Sequence, residues 1–366
     1  MKQRIELNGK TILVTGSPGF IGAVLVTKLL ETLSSGHVIS FDSMNDYYSP
    51  ALKEFRLSLI EKKAESSPVK HSFIHGNLAD RALVDGVFEQ YKPDVVVNLA
   101  AQAGVRYSID HPDVYIESNI IGFYNILEAC RHSFDGGEKG VEHLVYASSS
   151  SVYGGNKKVP FSTEDPVDHP VSLYAATKKS DELLAHAYSK LYNIPSTGLR
   201  FFTVIGPAGR PDMALMGFTQ KLCEGKKIQI FNYGDMKRDF TDVDDIVEGV
   251  FRVMQGAPEK KIGEDGLPIP PYAIYNIGGG KPENLLEFVS ILQEELVQAG
   301  VLPADYDFES HRELVPMQPG DVPITYADTE ALEKDYGFVP KIPLRETIRK
   351  YCEWHMEYYG PAKITE

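Results

Sequence analysis

Tyr174 and Lys178 stand four residues apart in Ser172-Leu173-Tyr174-Ala175-Ala176-Thr177-Lys178. On a helix, residues i and i+4 share a face, so the phenol and the ammonium would lie side by side. A tyrosine free in water titrates near pH ~10, and a close cation stabilises a phenolate, so the pair can serve as a base toward a hydroxyl. Upstream lies a second cluster of hydroxyls, the run Ser148-Ser149-Ser150-Ser151. Four-residue spacing alone is shared with any amphipathic helix. The reading gains force from the elements that would hold these groups over a common ligand.

The amino-terminal segment supplies the first such element. Thr11-Ile12-Leu13-Val14-Thr15 is a β-branched run suited to a buried strand, and Gly16-Ser17-Pro18-Gly19-Phe20-Ile21-Gly22 follows at once and opens a helical pattern. Strand, glycine turn and helix are the context of a dinucleotide site. Gly16 permits the turn, Gly19 lets backbone approach a pyrophosphate, and Gly22 lets helix and strand pack closely. Phe20 and Ile21 carry the first helical N–H groups beside it. A second strand, 37–41, ends in Asp42, whose carboxylate can accept from an adenosine ribose and would repel a 2′-phosphate. NAD is therefore expected rather than NADP, and the chain reads as a nicotinamide enzyme.

The strands expected at 11–15, 37–41, 70–75, 94–98, 142–147 and 196–201 alternate with helical patterns near 19–33, 79–91, 113–133 and 174–192. Repeated βα alternation implies an α/β fold with a Rossmann-type, doubly wound parallel sheet. Beyond residue 200 the rhythm is irregular, with helices near 213–224, 242–255, 284–299 and 344–359. Two lobes are expected, residues 1–200 mainly for NAD and 201–366 mainly for substrate, with some later segments returning to the first. The stretch 257–271 is rich in proline and reads as a surface loop.

Composition narrows the function classes. The 366 residues are 43% hydrophobic and carry a net charge of −14. No run of Lys or Arg offers a patch for nucleic acid or an anionic membrane, so an anionic partner would be met by a few placed cations in a pocket. Cys130, Cys223 and Cys352 are odd in number and lack metal-ligand spacing, as expected of reduced thiols in the cytoplasm. The first residues lead straight into the fold, and no stretch approaches the length of a membrane span. Asp242, Asp244 and Asp245 suit a helix N-terminus better than a metal, and no metal is expected.

Five motifs together resemble the extended short-chain dehydrogenase/reductase family. They are the glycine turn 16–22, Leu99-Ala100-Ala101-Gln102-Ala103-Gly104, Ser148-Ser149-Ser150-Ser151-Val152-Tyr153-Gly154, Tyr174-Ala175-Ala176-Thr177-Lys178 and Lys237-Arg238-Asp239-Phe240. Within that family the phrases at 99–108, 168–179, 198–203, 209–214 and 316–328 resemble the UDP-glucuronate 4-epimerase subgroup. The resemblance implies a catalytic set of Ser149, Tyr174 and Lys178. It implies that NAD meets Gly16, Gly19, Phe20, Ile21, Gly22, Asp42, Asn77, Leu78, Leu99, Ala100, Ala101, Asn119, Tyr174 and Lys178. For a UDP-sugar it implies Arg106, Ser149, Ser150, Ser151, Thr203, Arg210, Gln229, Phe231 and Arg238. A homodimer through the helices near 113–133 and 174–192 is implied in the same way.

The resemblance also bears on reaction type. Related dehydratases carry Asp-Glu at the positions of Ser150 and Ser151, and related decarboxylases a Glu at the position of Ser151. This chain has hydroxyls there, a wall that can accept a substrate carboxylate where a carboxylate side chain would repel it. The implied reaction is oxidation of the sugar C4 to a ketone and return of hydrogen from the opposite face. Alternatives are an epimerase for neutral UDP-sugars and an NAD-binding regulator without turnover. Asn77, Ile205 and Asp242 depart from the family pattern, Asn77 standing where an Asp meets adenine and the other two where aromatics stand. Gly278-Gly279-Gly280 is richer in glycine than usual.

Overall fold

The computed structural model describes residues 2–137, 139–318 and 321–362. Seven strands form one parallel sheet in the spatial order Tyr272–Ile277, Ser196–Phe201, His143–Ser149, Val95–Asn98, Thr11–Thr15, His37–Asp42, Lys70–His75. The chain winds outward from Thr11–Thr15 in one direction, then returns to build the other side. The switch point falls between Thr11–Thr15 and Val95–Asn98, where open α/β sheets bind their ligands at the carboxyl ends of the strands.

Each strand alternates its side chains between two faces. Ile12, Val14, Val38, Val95, Val97, Val145, Leu199 and Ile277 face one core with helices Phe20–Thr32 and Val243–Met254. Leu13, Ile39, Phe41, Val96, Leu144 and Tyr146 face the other, under helices Arg81–Tyr91, Gly122–His132 and Leu173–Tyr192. A further core gathers helices Ala214–Cys223, Leu285–Gln298 and Leu344–Tyr359 around Leu222, Ile230, Phe288, Leu292 and Tyr351. Beside it, Lys237–Asp242 runs parallel to Thr203–Ile205 and antiparallel to Pro282–Asn284.

Three features differ from the sequence pattern. Tyr272–Ile277 returns to the large sheet as its seventh strand, after a long excursion that hides its kinship with the earlier strands. Helix Pro50–Ser66 was not expected, because its buried stripe of Leu52, Arg56 and Ile60 has a charge at its centre. The stretch read as a loop contributes Gly256–Pro258, which pairs with Lys2–Arg4, and the hairpin Lys261–Ile262 with Pro268–Ile269. Its prolines sit on edges, where a missing N–H is tolerated.

Candidate active site

A cleft of about 1220 Å³ runs along the carboxyl ends of the strands and under the second core. Pockets for one small ligand usually hold ~300–1,000 Å³, so this one has room for a dinucleotide and a second nucleotide together. Its lining includes every residue expected from the sequence except Asn119.

The glycine turn is built as its chemistry requires. Gly16 has φ +72°, and a Cβ there would lie 2.7 Å from the Ala100 nitrogen. A Cβ on Gly22 would lie 2.1 Å from the Gly16 carbonyl oxygen, so the helix could not approach the strand end. Helix Phe20–Thr32 begins at Gly19 with no side-chain cap, which leaves the first-turn N–H groups facing the cleft. Ser17 Oγ, in the same turn, is buried and lacks a hydrogen-bond partner among the described residues. Leu99, Ala100 and Ala101 line the cleft directly beside the turn, held where the Ala100 N–H donates to Thr15 Oγ1 at 3.2 Å. Uncapped helix, orphan hydroxyl and close-packed backbone all suit a pyrophosphate.

Asp42 ends its strand at the cleft and accepts from the Met44 N–H at 2.7 Å. Burial raises its carboxyl above the ordinary value, with Lys53 opposing. Lys53 was missed in the sequence. It lines the same end of the cleft, its Nζ 3.9 Å from Asp42 and 2.7 Å from Asn45 Oδ1. Its signal was faint, one lysine in a helix whose pattern was itself obscured. Asn77 lines the cleft beside Leu78, with its Oδ1 accepting from the Ala79 N–H and its amide donating to Glu117 Oε1 at 2.8 Å.

Asn119 lies one layer back and does not line the cleft. It sits in the π-helix Ile116–Ile121, accepts from the Gln102 N–H at 2.7 Å, and donates to the Gln102 carbonyl and Thr177 Oγ1. Both amide hydrogens are thereby engaged. The structure gives it the task of fixing the 99–104 loop against the helix that carries Tyr174.

Helix Leu173–Tyr192 begins at Ser172, whose Oγ accepts from the Ala175 N–H at 3.1 Å, so the cap fixes where Tyr174 emerges. Tyr174 and Lys178 both line the cleft, and the Tyr115 ring stands edge-on to Tyr174 with centroids 6.1 Å apart. Lys178 is buried and donates to the Ala147 carbonyl at 2.9 Å. The serines line the same cleft. Ser149 ends its strand and caps the 3-10 turn Ser150–Tyr153, accepting from the Ser151 N–H and donating to Ser151 Oγ, both at 3.1 Å. Ser148 instead donates to Glu182 Oε1 at 2.7 Å.

Behind the serines lies a network that the sequence did not reveal. Arg200 donates to Glu182 at 2.8 and 2.9 Å and to the Tyr153 hydroxyl at 3.0 Å. Tyr153 in turn donates to Asn276 Oδ1 at 2.6 Å. Burial pushes the Glu182 carboxyl up, but the Arg200, Ser148 and Lys179 contacts outweigh it and hold the group below its ordinary value. The network ties the serine turn to the helix that carries Tyr174.

Cations line the rest of the cleft. Arg210 is paired through Nε with Asp212 Oδ1 at 3.0 Å, and Tyr47 donates to the same carboxylate at 3.3 Å. Arg106 lies over the Phe231 ring, 5.1 Å from its centroid, and reaches Asp321 at 3.4 Å. Arg238 donates to the Lys237 carbonyl at 2.9 Å. Gln229 and Thr203 line the wall between, Gln229 exposed. Asp239, next to Arg238, turns inward and accepts N–H groups from Gly279, Gly280 and Ala327. That accounts for the glycine-rich 278–280 turn, since a Cβ on Gly279 would lie 2.9 Å from Asp239 Oδ1. Asp242 caps helix Val243–Met254 by accepting from the Asp244 N–H, and Ile205 is buried in the second core. In the stretch 316–328, residues 319 and 320 lie outside the described residues.

A parallel doubly wound sheet, a glycine turn at its switch point and a tyrosine–lysine helix facing a serine turn define a nicotinamide-dependent enzyme of the short-chain dehydrogenase/reductase type. The chain belongs to the NAD dependent epimerase/dehydratase family, whose model matches residues 12–278. It is 48% identical over 355 residues to protein CapI of Staphylococcus aureus, covering 95% of this chain and 99% of that protein. It is 40% identical to UDP-glucuronate 4-epimerase 4 of Arabidopsis thaliana, covering 97% of this chain and 77% of that protein. Among solved structures it resembles the UDP-glucuronic acid 4-epimerase of Bacillus cereus, in complex with UDP-glucuronic acid and NAD. The TM-score is 0.79 and the identity 28%, over 95% of this chain and 100% of that one.

Proposed function

We propose that the protein is a UDP-glucuronate 4-epimerase that interconverts UDP-glucuronate and UDP-galacturonate through a 4-keto sugar. The observation that carries the choice of substrate is that Ser149, Ser150, Ser151 and Thr203 line the same cleft as Tyr174, with hydroxyls at 150 and 151 where a carboxylate side chain would repel a uronate. Bound NAD supplies the acceptor and donor of hydrogen at the sugar C4. Tyr174 takes the proton of the C4 hydroxyl, Lys178 holds positive charge beside it, and Ser149 orients that hydroxyl. A 4-keto uronate loses CO₂ when its carboxylate bond aligns with the ketone. Ser150, Ser151 and Thr203 hold the carboxylate away from that alignment. Arg210, Arg238 and Arg106 take the diphosphate, and Gln229 and Phe231 border the uracil.

NAD is held mainly by residues 1–200 and the UDP-sugar mainly by 201–366, with the serine wall and Tyr174 at the join. The expected test is incubation of purified protein with UDP-glucuronate and no added nucleotide, which yields UDP-galacturonate. Turnover only on addition of NADP would contradict the cofactor assignment.

We propose a homodimer as well. Ile121 and Tyr124, from the adjoining segments Ile116–Ile121 and Gly122–His132, and Leu183, from Leu173–Tyr192, are exposed large hydrophobic residues on helices that pack on one another. Sedimentation should give twice the chain mass, and a monomer at micromolar concentration would contradict it. Cytoplasmic residence is supported by three free cysteines, two of them buried. No helix among the described residues is long and apolar enough to cross a membrane.

A further inference from the structure

Behind the Tyr174–Lys178 pair lies a carboxylate that the chemistry above leaves unused. Asp181 is one turn beyond Lys178 on the same helix and is 1% exposed. Its Oδ2 accepts from Lys178 Nζ at 3.0 Å. An ammonium has three N–H groups. The Ala147 carbonyl takes another at 2.9 Å, so one remains for the cleft that Lys178 lines. The other oxygen of Asp181 has no hydrogen-bond partner among the described residues. Burying a carboxylate with an idle oxygen is costly, and the site retains it against that cost.

We propose that Asp181 is a positioning residue of the reaction, pinning the Lys178 ammonium beside Tyr174 and balancing its charge without touching substrate or cofactor. The proposal rests on the roles given above to Tyr174 and Lys178. A lysine carries a flexible four-carbon stem, and one carbonyl cannot fix both the reach and the direction of its head. Two acceptors on different elements can. Ala147 belongs to strand His143–Ser149 and Asp181 to the helix, so the ammonium is triangulated from the sheet and from its own helix.

The groups that face Asp181 leave this assignment clear. On its own helix are Lys178 and Glu182. Glu182 is committed to Arg200, Ser148 and Lys179 and forms no bond with Asp181. From the strand, Tyr146 feels the Asp181 charge, but its hydroxyl is engaged with that of Tyr272 at 2.7 Å. Burial raises the Asp181 carboxyl to about 6, against the pull of Lys178. As pH falls through that value, the ion pair becomes a neutral acceptor on a cation, which is a weaker anchor.

The test compares parent holoenzyme with Asp181→Asn, which keeps shape and an acceptor but removes the charge. The expected result is a ~10-fold lower kcat at neutral pH with KM for the UDP-sugar within about twofold, the signature of an effect on the reacting geometry. In the parent, kcat should also show a step down as pH falls through about 6, and in Asp181→Asn that step should be absent, leaving only the acid decline set by the base itself. A variant with the parent's kcat and pH profile overturns the proposal. So does a lower kcat with an unchanged profile, since a merely structural role would act alike at every pH. Asp181→Glu, which restores the charge, should recover most of the kcat and the step, and a Glu variant as impaired as Asn would count against it. The assay separates and quantifies the epimeric product over time, with whichever UDP-sugar the parent turns over. A parent that ignores UDP-glucuronate but epimerises UDP-glucose defeats the substrate assignment, and the same Asp181 results are then expected on UDP-glucose.

Discussion

The two ends of the cleft are made of different materials. At the glycine turn the ligand is met by backbone and small side chains, and close atomic approaches leave no freedom: the Gly16 and Gly22 positions cannot hold even a methyl group without collision. Toward the opposite end it would be met by long cations that already have internal partners, Arg106 with Asp321 and the Phe231 ring and, nearer Tyr174, Arg210 with Asp212. A prosthetic cofactor that stays through many turnovers suits a rigid cradle. A substrate that enters and leaves suits arginines with carboxylates to return to, because an unpaired partly buried cation between turnovers would be costly. Rigidity and exchange are thus separated in space, and the serine turn and Tyr174 lie where they meet.

The largest expected effect lies at that junction. Tyr174→Phe should lower kcat by ~10²-fold or more while UDP-sugar affinity stays within a few-fold, as loss of a positioned acid–base group does. Single-turnover kinetics with a binding titration check both halves, and kcat within a few-fold of the parent would move the proton transfer to another group. Next comes the brace behind the serines. Arg200→Leu removes the two-pronged partner of the buried Glu182, leaving only Ser148 and Lys179, and should cost ~3 kcal/mol of stability, read by denaturant unfolding. Because Glu182 is held below its ordinary carboxyl value in the fold, its contribution is present above pH 4.5 and lost as acid protonates it. The parent should therefore lose stability relative to Arg200→Leu on acidification, and parallel curves would contradict the brace.

Smaller effects sharpen the contrast between the ends. Asp42→Ala should weaken retention of NAD by ~10-fold, about what one or two hydrogen bonds to a charged group contribute, with the fold intact. Calorimetry on stripped protein checks it. Asp321→Asn frees Arg106 without touching the turn, and should change KM for the UDP-sugar by only ~2–3-fold, as exposed ion pairs are worth ~0.2–1 kcal/mol. An effect as large as that of Asp42→Ala would mean the charged end is as rigidly built as the other.

Much of this was legible in the sequence because local patterns carry it. Six strands, the glycine turn, Asp42, the serine run and the tyrosine–lysine helix each follow from residue type and spacing within about a dozen positions. The residues that escaped work through distance in the chain. Tyr272–Ile277 joins its sheet beside Ser196–Phe201 across a long excursion, and Arg200 braces Glu182 only once strand and helix have packed. Lys53 and Arg56 sit on a helix whose buried stripe includes both charges, so no amphipathic period announced it. Arg56 is buried because it donates to the Ala208 and Gly209 carbonyls, backbone acceptors that no pattern search can pair with it. The loop-holding role of Asn119 was hidden in the same way, since only the packing of Gln102 and Thr177 around it reveals it.

The central claim is that hydroxyls at the junction recognise a sugar carboxylate, and kcat/KM for UDP-glucuronate and UDP-glucose in direct competition tests it most directly. The account predicts a strong preference for the uronate, because Ser150, Ser151 and Thr203 would otherwise face a hydroxymethyl group with their anionic partner missing. It also predicts that Ser150→Ala with Ser151→Ala narrows that preference and raises the share of decarboxylated 4-keto pentose. Equal kcat/KM for the two sugars in the parent protein would contradict the account and make this a neutral-sugar epimerase.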